Sequence, residues 1–257
     1  MADRPPTGVI EEWCNARDGL AIALGGGGAL GAAHVGVLEV LDEFGVFPSI
    51  VVGTSAGAIV GAAYAAGIRP HSIGKLVRKA TWSNFGIFNR RPKLGVLDTQ
   101  GLLSTIEELG GDRLIEDLPI RFGAVATDVK TKKAVLFTEG SVGTALCASM
   151  AVPGLFAPVK RDGRWYVDGG VAANLPIQAA LDMGATHIIG VRACHEWDIL
   201  HSKKVEQELA RLEELPEVTM IRPTLTGYAQ WSRKDVAQLI YRGREAAEAA
   251  AWGVPTP

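Results

Sequence analysis

The stretch that decides the fold covers residues 20–66 and reads LAIALGGGGALGAAHVGVLEVLDEFGVFPSIVVGTSAGAIVGAAYAA. It opens with a short apolar run that stops at four glycines, which is typical of a buried parallel strand. An amphipathic helix is predicted over residues 30–44, a second strand over 50–52 and an alanine-rich, buried helix over 56–66. This order predicts a single-domain α/β fold of three layers, in which helices cover a mainly parallel central sheet.

The rest of the chain continues the alternation of strands and helices. Further strands are predicted at residues 122–127, 134–137, 165–167, 187–191 and 218–221, and helices at 73–80, 102–109, 142–150, 177–183, 205–215 and 234–251. There is no internal repeat and no linker rich in proline, glycine or serine. We therefore expect residues 20–193 to form the core, and residues 194–257 to complete the same domain with a mostly helical part.

The composition excludes several classes of protein. Hydrophobic residues make up 47% of the 257 positions, so the chain can bury a large core and is not disordered. The 26 basic and 28 acidic residues nearly cancel, which leaves no field to attract nucleic acid. Three cysteines without a CxxC pair predict neither a disulfide scaffold nor a zinc site.

The N-terminal region and the one long uncharged run bear on where the protein acts. Charged residues occur in the first 24 positions where a signal peptide would need an apolar segment, so no secretion signal is expected. Residues 45–68 carry no charge, but glycines, a proline and hydroxyl residues interrupt them, and a buried strand, turn and helix explain them better than a membrane span. We expect a cytoplasmic protein, for which any contact with a membrane would be peripheral.

The first motif with chemical content is GTSAG, from Gly53 to Gly57, placed between a predicted strand and a predicted helix. In this G-x-S-x-G context the serine, Ser55, is presented on a sharp turn, and small neighbours let the strand and helix approach closely. The helix N-terminus would point N–H groups at a developing negative charge. The alternative is that Ser55 only caps the helix.

The glycine run after the first strand admits three interpretations. Gly26, Gly28 and Gly31 satisfy G-x-G-x-x-G, but a dinucleotide site also needs an acidic residue at the end of the second strand, and none is present. Consecutive glycine N–H groups, from Gly26, Gly27 and Gly28, could instead stabilise an oxyanion formed at Ser55. The third alternative is that these glycines serve close packing alone.

A nucleophilic serine needs a base, because its hydroxyl is weakly reactive at neutral pH. Asp168 is the preferred candidate, since it ends an apolar strand and is followed by Gly169 and Gly170. Partial burial there would raise its pKa into a useful range. Asp168 could otherwise stabilise only a turn, and a histidine, either His195 or His201, could complete a Ser–Asp–His triad.

Taken together, the three motifs resemble those of the patatin-like phospholipases. The segments that carry the resemblance are ALGGGGALGAAHVGVLEVLDE, VVGTSAGAIVGAAYAAG and ASMAVPGLFAPVKRDGRWYVDGGVAANLPI, and the likeness extends over residues 20–191. The resemblance implies hydrolysis of fatty acyl esters of lipids by a Ser–Asp dyad, without a cofactor or a metal. By match of motif it makes Ser55 the nucleophile and Asp168 the general base, with the oxyanion donors at Gly26, Gly27 and Gly28.

The chain departs from the family pattern at Leu30, where most members that we would compare have arginine or lysine. The change removes a cation near the site, so a preference for anionic phospholipids does not follow from the resemblance. Residues 82–98 combine aromatic and basic residues, which predicts a lid, a membrane contact or a connection packed on the core. A catalytically inactive module that keeps the fold is the remaining alternative, and an acyl-ester lipid is the expected partner.

Overall fold

The structure is a computed structural model that describes residues 8–79, 87–88, 97–98, 113–193, 203–229 and 234–254. Its helices are α1 (Gly8–Asn15), α2 (Ala32–Glu43), α3 (Ala56–Ala65), α4 (Pro70–Lys79), α5 (Val142–Ser149), α6 (Ile177–Asp182), α7 (Lys203–Glu213) and α8 (Val236–Ala251). Its strands are β1 (Leu20–Leu24), β2 (Ile50–Thr54), β3 (Ile87–Phe88), β4 (Leu97–Asp98), β5 (Arg121–Asp128), β6 (Ala134–Phe137), β7 (Val159–Arg161), β8 (Arg164–Asp168), β9 (His187–Val191) and β10 (Val218–Ile221). Short 3-10 helices occupy Gly28–Gly31, Ile115–Asp117 and Gly169–Val171.

The predicted α/β fold is confirmed. Strands β10, β9, β1, β2 and β5 lie side by side in that order and run parallel. Strands β6 and β8 each pair antiparallel with β5, and β7 pairs antiparallel with β8, while β3 and β4 form a separate two-stranded pair. Every residue of β1 and β2 is buried, as expected for strands covered on both faces.

Strands β2 and β8 pair with successive parts of β5, so they lie end to end. Its pairing with β2 covers residues 121–125, and its pairing with β8 covers residues 126–128. Because β6 pairs with β5 over residues 124–127 and overlaps both, β2 and β8 must lie along the opposite edge of β5 from β6. Thr54, the last residue of β2, pairs with Val125, and Asp168, the last residue of β8, pairs with Ala126. The carboxyl ends of the two strands therefore meet.

Helices α2 and α8 pack at unusually short range. A Cβ atom added at Gly36 of α2 would overlap the carbonyl oxygen of Ile240, and one added at Gly243 of α8 would overlap the carbonyl oxygen of Ala33. Each helix thus places a glycine against the backbone of the other. Helix α8 therefore covers α2, and the prediction that residues 194–257 complete the domain stays a prediction.

The element boundaries agree closely with those predicted. Strands β6, β9 and β10 have the predicted bounds, and α2 begins two residues later than predicted because the 3-10 helix Gly28–Gly31 precedes it. Helix α1 and strand β7 were not predicted. The predicted helix at 102–109 and most of residues 82–98 lie outside the described residues. Within the described part of the chain, no helix is both long and apolar enough to cross a membrane.

Candidate active site

Ser55 lies in the turn that joins β2 to α3, and its backbone is strained. Its φ of 52° and ψ of −121° are in a region that residues with a side chain rarely adopt. Such a conformation typically costs about 1–3 kcal/mol and persists only where surrounding contacts hold it. Ser55 is largely buried, with 9% of its surface exposed. The sequence-predicted position of this serine at a sharp strand–helix turn is therefore confirmed.

The two flanking glycines of GTSAG are required by close approach. A Cβ atom at Gly53 would overlap the backbone of Ala58, and a Cβ atom at Gly57 would overlap the carbonyl oxygens of Leu24 and Gly25. These contacts let the first turn of α3 lie directly against the ends of β1 and β2. Only glycine therefore fits at positions 53 and 57 without displacing the backbone.

A buried serine of helix α5 holds the strained turn. The Ser55 N–H donates a hydrogen bond to Ser149 Oγ (2.8 Å), and the Ser149 hydroxyl donates to the Val125 carbonyl oxygen (2.6 Å). Ser149 has no exposed surface. Its hydroxyl therefore links the backbone of Ser55 to the central strand β5. Sequence reasoning missed this residue, because no local pattern distinguishes it from other small helix residues.

In the glycine loop after β1, two of the N–H groups already donate hydrogen bonds to carbonyl oxygens. Gly25 N–H donates to the carbonyl of Val191, and Gly26 N–H donates to the carbonyl of Asn174, both at 3.0 Å. Within the described part of the chain, the N–H groups of Gly27 and Gly28 have no acceptor. The expectation that Gly26 is an oxyanion donor therefore needs correction, because its N–H is already engaged. The N–H groups of Gly27 and Gly28 remain available as donors as far as the described residues are concerned.

Two residues that the sequence analysis did not select support this loop. Besides accepting from Gly26, Asn174 places its side-chain oxygen where a Cβ atom of Gly26 would otherwise lie, and Ser55 Cβ is next nearest. His34 of α2 is fully buried, and burial lowers its pKa to about 4. The neutral imidazole donates from Nε2 to the Gly25 carbonyl (2.7 Å). Gly26 thus lies between Asn174 and Ser55, and His34 fixes the preceding residue.

Asp168 ends β8 with an ordinary backbone conformation, φ −46° and ψ 133°. Its Oδ1 accepts a hydrogen bond from the Gly170 N–H (2.7 Å), while the buried Oδ2 has no hydrogen-bond partner among the described residues. Burial raises the pKa of this carboxyl to about 6, and hydrogen bonding from the Ser55 side chain and from Gly170 partly opposes that rise. A carboxyl in this state is ionised at neutral pH but more basic than a solvated one.

The structure brings Ser55 and Asp168 together. Their side chains interact closely enough for the Ser55 hydroxyl to lower the pKa of Asp168. Oδ2 has no partner within hydrogen-bond geometry among the described residues, and catalytic hydrogen bonds are often long before substrate binds. Gly169 makes this approach feasible, because a Cβ atom there would overlap the Val125 carbonyl oxygen.

The other candidate residues from the sequence are Gly31, Leu30 and the histidines. A Cβ atom at Gly31 would lie 2.6 Å from Ala56 Cβ, so this glycine serves the packing of the loop on α3. Leu30 is 4% exposed and belongs to the main hydrophobic core. Among the described histidines, His34 contacts Gly25, His71 lies near Glu39 and His187 near Glu12, and none hydrogen-bonds Ser55. His195 and His201 lie outside the described residues.

The site offers no arrangement typical of a metal centre. The described residues include no group of three or more His, Cys, Asp or Glu side chains that could hold a metal ion. The groups at hand are the Ser55 hydroxyl, the Asp168 carboxyl and, on the loop whose Gly26 lies beside Ser55, the N–H groups of Gly27 and Gly28, which donate to no described residue. This set can support acyl transfer, which needs a nucleophile, a proton acceptor and an anion-stabilising site.

Fold and site together define an α/β protein that presents a serine in a strained strand–helix turn beside a buried carboxyl. A family model described as "Patatin-like phospholipase" matches residues 22–181, which include both residues and the glycine loop. The chain belongs to the patatin-like phospholipase family.

Relatives extend over more residues than this chain. An uncharacterised NTE family protein of Mycobacterium tuberculosis is 36% identical over 181 residues, which cover 67% of this chain and 48% of the relative. Patatin-like phospholipase domain-containing protein 7 of Mus musculus is 35% identical over 182 residues, covering 67% of this chain and 13% of that protein. The chain thus matches about half of the mycobacterial relative and a small part of the mouse one.

Solved structures share the fold. VipD from Legionella pneumophila superposes with a TM-score of 0.64 at 14% identity, covering 93% of this chain and 67% of VipD. The ExoU–SpcU complex of Pseudomonas aeruginosa gives a TM-score of 0.51 at 17% identity, covering 91% of this chain and 51% of the matched chain. At these identities the likeness shows the architecture of the chain alone.

Proposed function

We propose that this protein is a serine lipid acyl hydrolase that cleaves fatty acyl esters with a Ser55–Asp168 dyad. The observation that carries the proposal is the interaction of the strained Ser55 with the buried carboxyl of Asp168. Membership of the patatin-like phospholipase family supports a lipid as the substrate. The activity is classed as a carboxylic ester hydrolase of the phospholipase A, lysophospholipase or esterase type.

In the first half of the reaction, Ser55 Oγ attacks the carbonyl carbon of the ester. Its proton passes to Asp168, whose raised pKa makes it a stronger base than a solvated carboxylate. The carbonyl oxygen becomes an oxyanion, which the N–H groups of Gly27 and Gly28 stabilise. Collapse of this intermediate transfers the proton from Asp168 to the leaving alcohol and leaves the acyl group on Ser55.

In the second half, water replaces the alcohol. Asp168 takes a proton from the water as it attacks the acyl carbon, and the same backbone donors stabilise the second oxyanion. Return of the proton to Ser55 Oγ releases the fatty acid. Apart from the ester and water, each step uses only groups of the protein, so the proposed cycle needs no cofactor.

The experiment combines active-site labelling with product detection. A fluorophosphonate probe should label the wild-type protein, because only an activated serine reacts, and a panel of lipids should yield free fatty acid. Ser55→Ala removes one hydroxyl, so labelling should be lost and hydrolysis should fall by about 10⁴-fold or more. Unchanged thermal melting provides the control for folding. Residual hydrolysis above a few per cent would overturn the assignment of Ser55.

The triad alternative is tested by the histidines. Single replacement of His195 or His201 by alanine should leave most of the activity, whereas a triad histidine would be as sensitive as Ser55. If either variant is inactive yet folded, the proton acceptor is that histidine, and Asp168 only orients it. The dinucleotide alternative predicts binding of a nicotinamide cofactor and no labelling.

A further inference from the structure

Two adjacent hairpins form an exposed surface of cations and apolar side chains. The turn between β5 and β6 carries Lys130, Lys132 and Lys133, and the hairpin of β7 and β8 carries Lys160 opposite Trp165. Trp165 and Val129 are among the large hydrophobic residues that remain exposed, at 47% and 44%. We call Val129, Lys130, Lys132, Lys133, Lys160 and Trp165 the basic–aromatic surface.

Contacts between the hairpins hold this surface in place. The Val129 N–H donates to the Trp165 carbonyl oxygen (2.9 Å), which joins the turn to β8. Asp128 Oδ1 accepts from the N–H groups of Lys130 (2.9 Å) and Thr131 (2.7 Å), so the acidic residue of the turn is used inside it. The ammonium group of Lys160 lies 5.8 Å from the centre of the Trp165 ring. The lysines therefore project from a fixed backbone.

The charge of this surface contrasts with that of the whole protein. The chain has a net charge of −2, yet none of the four lysines forms an ion pair within the described part of the chain. Arg164, which pairs with Asp128 at 3.7 Å, adds a further exposed cation beside them. Unpaired lysines around an exposed indole match the interface of a membrane with anionic head groups, where cations meet charge and tryptophan takes the boundary position.

The surface lies close to the proposed site. Strand β8 leads from Trp165 to Asp168 in three residues, about 10 Å at the rise of a strand. Strand β5 leads from Val125, which accepts from Ser149, to the lysine turn. A bilayer seated on the hairpins would lie near the residues that act on its lipids.

We propose that the basic–aromatic surface docks this protein on membranes that contain anionic lipids. The choice of a membrane over other polyanions rests on the proposed function, because a lipid hydrolase must reach its substrate at such an interface. The lysines would contact the phosphate and carboxylate groups of the lipids, and Trp165 would insert its ring among the head groups.

Vesicle sedimentation tests the lysines. The protein should bind vesicles of phosphatidylcholine mixed with phosphatidylglycerol, and bind vesicles of phosphatidylcholine alone much less. The triple variant Lys130→Gln, Lys132→Gln, Lys133→Gln should bind the anionic vesicles about 100-fold more weakly, at the usual contribution of a lysine near a charged membrane. The triple variant Lys75→Gln, Arg78→Gln, Lys79→Gln removes the same charge from helix α4 and is the matched control.

Fluorescence quenching by brominated phosphatidylcholine in the anionic vesicles tests Trp165. The wild-type protein should be quenched on binding, and Trp165→Phe should lose most of that quenching. Equal loss of binding in the two triple variants, equal binding to both vesicle types or unchanged quenching in Trp165→Phe would each overturn the proposal. Equally tight, lysine-dependent binding of single-stranded RNA would assign the surface to nucleic acid instead.

Sedimentation does not require turnover, so the two proposals fail separately. A protein that binds anionic vesicles but releases no fatty acid from any lipid would keep the docking surface and lose the proposed function. A protein that hydrolyses a soluble short-chain ester but ignores anionic vesicles would do the reverse. The lysine triple variant should hydrolyse the soluble ester at the wild-type rate.

Discussion

Ser55 has a strained backbone and a side chain of ordinary chemistry, whereas Asp168 has an ordinary backbone and a side chain of altered chemistry. At Ser55 the positive φ is held by Ser149 and by the tight packing of α3. At Asp168 the backbone is relaxed, but burial raises the pKa of the carboxyl. One group is prepared by conformation and the other by removal from water.

The difference shows that Ser55 and Asp168 depend on different kinds of neighbouring groups. Support for the Ser55 turn must come from groups that fix its backbone, since its strained conformation persists only where surrounding contacts hold it. Support for Asp168 must come from groups that keep water away, since its basicity depends on desolvation. Substitutions that remove a backbone contact should therefore act mainly through Ser55, and substitutions that change charge should act mainly through Asp168.

The largest effect on activity is expected from Asp168→Asn, which removes the altered carboxyl group. The amide keeps the shape but cannot accept a proton, so kcat should fall by about 10²–10⁴-fold. Substrate binding should change little, and steady-state kinetics on one acyl ester would separate kcat from KM. A variant that keeps wild-type kcat would show that Asp168 is not the base.

The pH dependence of wild-type activity comes next. With a pKa of about 6, the carboxyl must lose its proton to act as a base, so kcat/KM should rise with pH and level off above about 6. At pH 4 the rate should be about 100-fold below the plateau, because each pH unit below the pKa lowers the ionised fraction tenfold. A rising limb near pH 4 instead would mean that water reaches the carboxyl.

As pH rises, the free energy of unfolding should fall while activity rises. The pKa of Asp168 is higher in the folded state, about 6, than the ordinary aspartate value of 3.8, so the folded state binds more protons between these values and loses stability as pH rises through them. Asp168→Asn removes this penalty and should stabilise the protein at pH 8 by up to about 3 kcal/mol. Denaturant unfolding at pH 8 and pH 5 would measure it, and a gain that does not shrink at the lower pH would contradict the burial effect.

The smallest effects are expected when the buried hydroxyl groups of Ser149 and Thr127 are removed one at a time. Ser149→Ala removes the acceptor for the Ser55 N–H, so the strained turn should relax and the rate of fluorophosphonate labelling should fall about tenfold. Thr127→Val is the matched control, because the Thr127 hydroxyl donates to the Asp168 carbonyl oxygen (2.9 Å) beside a relaxed backbone.

The control variant should lose about 1 kcal/mol of stability and label within about twofold of the wild-type rate, as expected for a single buried hydrogen bond. Equal labelling rates in the two variants would show that the Ser55 backbone needs no support from Ser149. Restored labelling in Ser149→Thr, which keeps the hydroxyl, would separate the hydrogen bond from the loss of packing.

Much of the fold and the positions of the candidate residues Ser55 and Asp168 at strand ends could be predicted because their signals are local. The apolar run of β1, the glycines after it and the GTSAG turn are each contained in a few residues with a distinct pattern. The positions of Ser149 and Asn174 could not be predicted, because each acts through a contact distant in the sequence. Occupation of the Gly26 N–H by the Asn174 carbonyl depends on the same long-range placement. Helix α1 was missed because only Ile10 and Trp13 of its residues are buried, which leaves a weak apolar pattern.

The reciprocal glycine contact between α2 and α8 has a consequence for synthesis of the protein. Helix α2 carries His34, which fixes the glycine loop, yet its partner helix begins roughly 190 residues later in the chain. At the usual rate of elongation the ribosome needs on the order of 10–40 s to cover that interval. During this time Gly36 and its apolar neighbours have no cover from α8. The nascent chain can therefore pair its first strands early, but the helix beneath the loop is enclosed only when the last helix emerges.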